Sequence, residues 1–170
     1  MQSPRYKMPF KRRKEGKTDY QQRLRLLKSG APRLVIRRSL NYITAQIAEF
    51  GNKGDKVVVA ASSRELKKLG WNFACDNISA AYLTGLLIGK SAVEKKLDGV
   101  IPDSGLYAPV RGSRIFAVIK GAKDAGMSMS VEDEMLPSDE RIKGMHISSN
   151  EKFKNLTSEF EKVKNKILGG

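Results

Sequence analysis

The chain has 170 residues, of which 40% are apolar, so it is long enough for one compact domain with extensions. Its 32 Lys and Arg against 18 Asp and Glu give a net charge of +14, which favours a polyanionic partner such as a nucleic acid or an anionic membrane surface. The single cysteine, Cys75, excludes an internal disulfide. No apolar run is long enough to span a membrane, and the charged N-terminus does not match a secretory signal, so we expect a cytoplasmic protein.

The excess positive charge is concentrated at the front of the chain. Residues 1–38 hold thirteen Lys and Arg against two acids, a net charge of +11, whereas the other 132 residues hold nineteen and sixteen. Residues 1–17 lack hydrophobic periodicity, so we expect them to be disordered alone and ordered on a partner. Tyr6, Phe10 and Tyr20 lie among the basic residues and are suited to stacking on bases. A solubilising or nonspecific tail is the alternative interpretation.

A short helix is predicted directly after this basic segment. Thr18–Gln21 matches a capping box with Thr18 as the N-cap, and Gly30 followed by Pro32 ends the helical pattern. The sequence therefore predicts a helix over Asp19–Ser29.

Two strands of a hairpin follow. Arg33–Ser39 and Tyr42–Phe50 each alternate apolar and polar residues around a short turn. One face of the hairpin carries groups that could hydrogen-bond a sugar-phosphate chain and stack on a base: Arg37, Tyr42, Thr44 and Gln46. An ordinary solvated sheet face is the alternative.

The middle of the chain alternates strands with helices, which predicts an α/β fold with a mixed sheet. Lys56–Ala61 is an uninterrupted apolar run and is interpreted as a buried central strand. Ser62–Glu65 forms a capping box that opens a short helix. Asn77–Lys96 and Arg114–Ala125 are the two long helices, separated by a short strand at Asp98–Pro102.

The last third of the chain differs in composition. Val131–Glu140 contains five acids and no base. Ser148–Glu151 matches a capping box that opens a final helix. An apolar stripe on that helix either folds back on the body or docks on a partner: Phe153, Leu156, Phe160, Val163 and Ile167.

Enzymatic and metal sites find little support in the sequence. Gly85–Ser91 resembles a phosphate loop but has the wrong spacing and lies within a helical pattern, where its glycines favour close helix–sheet packing. With His146 and Cys75 each the only residue of its type, no zinc site of four Cys and His ligands can be assembled, and His146 is interpreted as a surface or packing residue. Trp71 either stacks on a base or packs in the core. A magnesium-dependent nuclease is the enzymatic alternative; it would need converging carboxylates, for which Asp55, Asp98 and Asp103 are the candidates.

Eight blocks of sequence resemble one family. The chain is similar to large-subunit ribosomal protein eighteen of the archaeal and eukaryotic type, and the similarity covers nearly the whole chain. The matching blocks are Arg13–Tyr20, Arg23–Leu27, Pro32–Ser39, Tyr42–Gln46, Val59–Ser63, Ala80–Gly89, Gly112–Gly121 and Leu136–Gly144.

This resemblance implies a non-catalytic protein without cofactor or metal that binds 5S rRNA and contacts 23S rRNA and neighbouring ribosomal proteins in the central protuberance. It also implies an α/β body of ribonuclease-H-like topology. The charge and sequence patterns place this body over residues 32–128, between a basic N-terminal arm with a short helix over 1–31 and a C-terminal extension with a terminal helix over 129–170. The matched RNA-facing candidates are Arg12, Arg13, Lys14, Lys17, Tyr20, Arg23, Arg33, Arg37, Arg38, Ser39, Tyr42, Gln46, Ser63 and Arg64. Gly112 and Arg114 mark a helix N-terminus that could hold a phosphate. The charge of the arm adds Arg5, Lys7 and Lys11.

Overall fold

The computed structural model describes residues 7–169. Arg5 and Tyr6, both expected to contact RNA, therefore lie outside the described residues. The helices and strands are α1 (Lys11–Lys14), α2 (Tyr20–Lys28), β1 (Arg33–Arg38), β2 (Ile43–Glu49), β3 (Lys56–Ser62), α3 (Ile78–Glu94), β4 (Ile101–Asp103), α4 (Arg114–Asp124), α5 (Asp139–Ile142) and α6 (Leu156–Gly169). No helix in this part of the chain is long and apolar enough to cross a membrane.

The four strands form one mixed sheet in the order β3-β2-β1-β4. The predicted hairpin is confirmed: β1 and β2 are antiparallel, with Leu34 opposite Ile47 and Ile36 opposite Ala45. Ser39 closes its turn, because its N–H donates to the Tyr42 carbonyl at 2.8 Å. β4 runs parallel to β1. The α/β class with a mixed sheet is thus confirmed, while the ribonuclease-H-like topology and the domain boundaries stay predictions.

The position predicted for β3 was wrong. It is an edge strand, paired with β2 alone among the strands of residues 7–169, and it buries Val59 and Ala61 while Val57 and Ala60 are exposed. An apolar run does not distinguish a central strand from an edge strand whose exposed residues are also apolar. The capping box after it is confirmed: Ser62 accepts from the Arg64 N–H and Glu65 accepts from the Ser62 N–H, which opens the 3-10 helix Ser63–Leu69.

The core lies between the sheet and the two long helices. α3 is buried on nearly every side, and α4 packs along it. Their backbones touch at glycines: a Cβ on Gly85 would lie 2.1 Å from the Val118 carbonyl oxygen, and one on Gly121 would lie 2.2 Å from that of Tyr82. The glycines of the false phosphate loop therefore serve helix–helix packing rather than the predicted helix–sheet packing. Trp71 belongs to this core, where it is 1% exposed.

The arm is more structured than the sequence predicted. Lys11–Lys14 forms one helical turn with no buried residue. The N-cap of α2 is Asp19 and not Thr18, because the Asp19 carboxylate accepts from two first-turn N–H groups, at 2.9 and 3.1 Å. Thr18 instead accepts from the Arg12 Nε–H at 2.9 Å. Thr and Asp are both good N-caps, so the sequence offers two adjacent candidates and the pattern alone does not choose between them.

The terminal helix folds back on the body, which is one of the two predicted alternatives; the other was docking on a partner. Leu156, Phe160, Val163 and Ile167 are all buried, and the Phe160 ring centroid lies 5.7 Å from that of Tyr82 on α3. The predicted capping box at Ser148–Glu151 was wrong. Asn150 caps a separate 3-10 helix there, and α6 begins only at Leu156.

The acidic segment is also held by the chain itself. Lys123 pairs with Asp133 at 3.0 Å, Lys120 pairs with Asp139 at 2.5 Å, and Arg111 pairs with Glu134. The Lys120 hydrogen bond and charge hold the pKa of Asp139 below its usual range. Two of these ion pairs link residues 131–140 to α4, and the third links them to Arg111 in the loop before it.

Candidate nucleic-acid interface

The sheet face turned away from α3 and α4 is mostly uncharged. Strand register places Arg37, Thr44 and Ser62 in one row across β1, β2 and β3, and Val35, Gln46 and Ala60 in the next. Residues directly opposite on neighbouring strands share a face. The predicted polar face therefore exists, with hydroxyl and amide groups that can hydrogen-bond a sugar-phosphate chain.

An aromatic and a guanidinium lie together at one end of this face. The Arg64 guanidinium carbon is 5.2 Å from the centroid of the half-buried Tyr42 ring. Arg64 itself is exposed and follows the capping box at Ser62. A stacked arginine and tyrosine form a flat surface of the kind on which unpaired bases stack.

A chain of alternating charges joins the arm to the sheet. Arg33 on β1 donates to Asp55 at 2.7 Å and to Asp103 on β4 at 3.1 Å. Asp55 also accepts from Arg23 of α2 at 2.9 Å, and Asp103 accepts from Arg37 at 3.2 Å. These five residues, the arginine–aspartate network, fix α2 against β1 and hold the Arg37 side chain at the sheet face.

The network changes the interpretation of its members. The Arg33 side chain is 2% exposed, so the prediction that it faces RNA does not fit its position. Asp55 and Asp103 are occupied by arginines, and residues 7–169 contain no group of His, Cys, Asp and Glu that could hold a metal. Burial raises the pKa of Asp55, but hydrogen bonds and charges from Arg33 and Arg23 outweigh it and hold that pKa below the usual value of 3.8.

Ser63 was also expected at the RNA surface, and the structure places it in the interior. It is 0% exposed, and its hydroxyl accepts from the Ile43 N–H at 2.9 Å. It therefore ties β2 to the 3-10 helix instead of facing solvent. Ser39 remains exposed, but its hydroxyl is bonded within the hairpin turn to Tyr42.

Most of the cations in residues 7–31 make no ion pair with another described residue. Phe10 packs on Tyr20 with ring centroids 5.1 Å apart, which places α1 beside α2. Lys17 is paired with Glu15 at 2.8 Å. Within residues 7–169, the predicted basic site residues that make no ion pair are Lys7, Lys11, Arg12, Arg13, Lys14, Arg38 and Arg64.

Gly112 and Arg114 lie on a different surface. They line a cavity at the start of α4 together with Arg38. Arg114 donates to the Asp76 carbonyl at 2.8 Å and to its carboxylate at 3.1 Å. Arg141 lines the same cavity. Sequence reasoning missed Arg141 because it sits in a helix of four residues far along the chain from its neighbours in space.

Comparison with known proteins identifies relatives of this chain. Residues 4–100 match the family model described as ribosomal large subunit proteins 60S L5 and 50S L18. The large ribosomal subunit protein uL18 of Desulfurococcus amylolyticus is 45% identical over 187 aligned positions, which cover 97% of this chain and 95% of that protein.

Proposed function

The chain belongs to the family of ribosomal large-subunit proteins 60S L5 and 50S L18, and on that premise we propose that it binds 5S rRNA and helps to attach it to 23S rRNA in the central protuberance. A protein of this family is a structural component of the large ribosomal subunit in the cytoplasm and not an enzyme, so the nuclease alternative is set aside. Its partners are ribosomal RNA and neighbouring ribosomal proteins.

The observation that carries the proposal is the placement of unpaired charge. Four consecutive cations, Lys11–Lys14, are exposed on a helical turn that packs beside α2, and the arginine–aspartate network anchors α2 to the sheet. The arm and the face carrying Arg37 and Tyr42 can therefore engage one RNA together. If the arm contacts roughly 6–10 phosphates, affinity falls by about three to five orders of magnitude between 50 and 200 mM salt on duplex values.

The arm and the sheet face are expected to contribute differently to binding. Phosphate contacts supply most of the affinity but carry no sequence information, so they position the protein without selecting the RNA. Selection falls to the sheet face, where Tyr42, Arg64 and Gln46 offer stacking and hydrogen bonds. Arg37 contributes a guanidinium whose direction is set by Asp103.

Filter binding across a salt series tests the proposal, with 5S rRNA against a random RNA of equal length. We expect the full chain to prefer 5S rRNA at physiological salt. Removing residues 1–17 should flatten the salt dependence while the body stays folded, since α1 buries no residue. Replacing all four residues of Lys11–Lys14 by Gln should reduce the slope of log affinity against log salt concentration. The reduction should be about 0.9 for each phosphate that the arm no longer neutralises.

A matched control changes the same charge elsewhere: Lys68, Lys152, Lys154 and Lys162 are all exposed and can be replaced by Gln together. This variant should keep most of the wild-type slope. Equal affinity for 5S and random RNA would contradict the proposal and support a nonspecific basic tail. Equal losses in the two variants would contradict the special part that the proposal gives to the arm.

A further inference from the structure

A cavity of about 580 Å³ opens at the end of the sheet where β1 and β4 finish. Its walls include Arg38 at the end of β1, the loop that follows β4, and the first residues of α3 and α4. The carboxyl ends of the parallel strands β1 and β4 therefore meet two helix N-termini here. In open α/β sheets, ligands bind in a crevice outside the carboxyl ends of the strands.

The rim of the cavity is basic. Arg38, Arg114, Arg141 and His146 line it, with Asp76 as the acid among them. Asp76 is bound by Arg114 at 3.1 Å, whereas Arg38 and Arg141 form no ion pair with any acid of residues 7–169. Two guanidinium groups are thus available to an anion.

The first turn of α4 has donors without an internal acceptor. Its N-cap residue, Ser113, makes no side-chain cap hydrogen bond, in contrast to Asn77 on α3, which accepts from the Ala80 N–H at 2.7 Å. The Ser113 hydroxyl also has no hydrogen-bond partner among the described residues, but it is buried and offers no surface to a ligand in the cavity. The uncapped first-turn N–H groups are therefore the donors that can take an acceptor from outside the chain. A phosphate meets that need at a helix N-terminus.

The remaining wall of the cavity is apolar, and the cavity is too large to be filled by a phosphate alone. Ile78, Val110, Ile115 and Ile147 line it, and the Tyr107 ring lies under Arg38 at 4.8 Å. A volume of this size is typical of sites for small organic molecules with apolar walls and a few placed polar groups. A base has the flat apolar faces that such a wall accepts.

We propose that this cavity takes one unpaired nucleotide extruded from the bound 5S rRNA, with its phosphate at the first turn of α4 and its base against the apolar wall. The proposal rests on the proposed function. Arg37 and Arg38 are neighbours on β1 and point to opposite sides of the sheet, Arg37 to the open face and Arg38 to the cavity. An RNA strand that crosses the end of β1 therefore meets both surfaces.

Site-specific photo-crosslinking in the complex of the full chain with 5S rRNA tests this. A photoreactive phenylalanine derivative replaces Val110, which is 59% exposed on the cavity wall. We expect crosslinks at a single nucleotide of the RNA. Arg141→Gln should weaken binding by about tenfold, as expected when one charge-assisted hydrogen bond is removed, and should abolish that crosslink.

Arg111→Gln is the matched control, because it removes the same charge from the same region but its side chain pairs with Glu134 outside the cavity lining. It should leave both the crosslink and the affinity within about twofold of wild type. Both variants are first shown by thermal unfolding to be folded.

The outcomes separate the two claims. Tight binding of 5S rRNA with crosslinks to no nucleotide, to many nucleotides, or to a co-purified protein overturns the nucleotide site and leaves the proposed function standing. Equal effects of Arg141→Gln and Arg111→Gln also overturn it. Failure of the wild-type chain to bind 5S rRNA refutes the proposed function, and the nucleotide site with it.

Discussion

Replacing Asp103 by Asn should destabilise the whole domain, because it removes one carboxylate from a buried guanidinium. The Asp103 side chain is 8% exposed and that of Arg33 is 2% exposed. Removing one partner of a buried ion pair costs about 3–5 kcal/mol. Arg33 keeps Asp55 at 2.7 Å, so we expect the lower end, about 3 kcal/mol. For a chain of this length that lowers Tm by about 6–12 °C.

Thermal unfolding followed by circular dichroism measures this effect. Glu15→Gln is the matched control, since it makes the same acid-to-amide change in an exposed pair, Lys17–Glu15, whose side chains are 61% and 36% exposed. Exposed pairs contribute about 0.2–1 kcal/mol, so the control should move Tm by no more than about 4 °C.

A double-mutant cycle identifies the cause of the destabilisation. In an Arg33→Met background the buried charge is gone, so Asp103→Asn should cost clearly less there than in the wild type. Equal costs in the two backgrounds would show that Arg33 and Asp103 do not stabilise each other. A Tm drop for Asp103→Asn no larger than that of Glu15→Gln would refute the reasoning outright.

Three further predictions concern packing and pH. Gly85→Ala should lower stability by about 3 kcal/mol or more, because its Cβ meets the Val118 carbonyl oxygen at 2.1 Å; Gly169→Ala, with open space around it, should be nearly neutral in the same urea titration. Phe160→Ala should cost about 3–5 kcal/mol while unfolding stays a single transition, whereas an earlier separate transition would show that α6 is not part of the core. The lowered pKa of Asp55 means that its stabilisation is complete above the ordinary value of 3.8 and is lost as the pH falls through the lower folded value. The stability advantage of the wild type over Asp55→Asn should therefore shrink below about pH 4, and an advantage that stays constant down to pH 2 would contradict it.

Local sequence patterns predicted the secondary-structure elements whose signals lie within a few residues of one another. The hairpin around Ser39, the capping box at Ser62 and the two long helices follow from alternation, spacing and cap residues a few positions apart. The apolar stripe of the last helix showed that it must be covered, and left open whether the body or a partner covers it. The blocks of family resemblance were likewise readable from the sequence.

The sequence by itself determined where the charge lies, the hairpin and the two long helices, and the family. Only the tertiary structure decided which of those charges are free. Arg33 and Asp103 are 70 positions apart in the sequence and meet because β4 pairs in parallel with β1. Arg33, which the sequence suggested as an RNA contact, is therefore buried in an ion pair. The cavity at Ser113 arises in the same way, from loops and helix ends that pack together in space. Burial and pairing depend on long-range packing, and a local pattern cannot encode them.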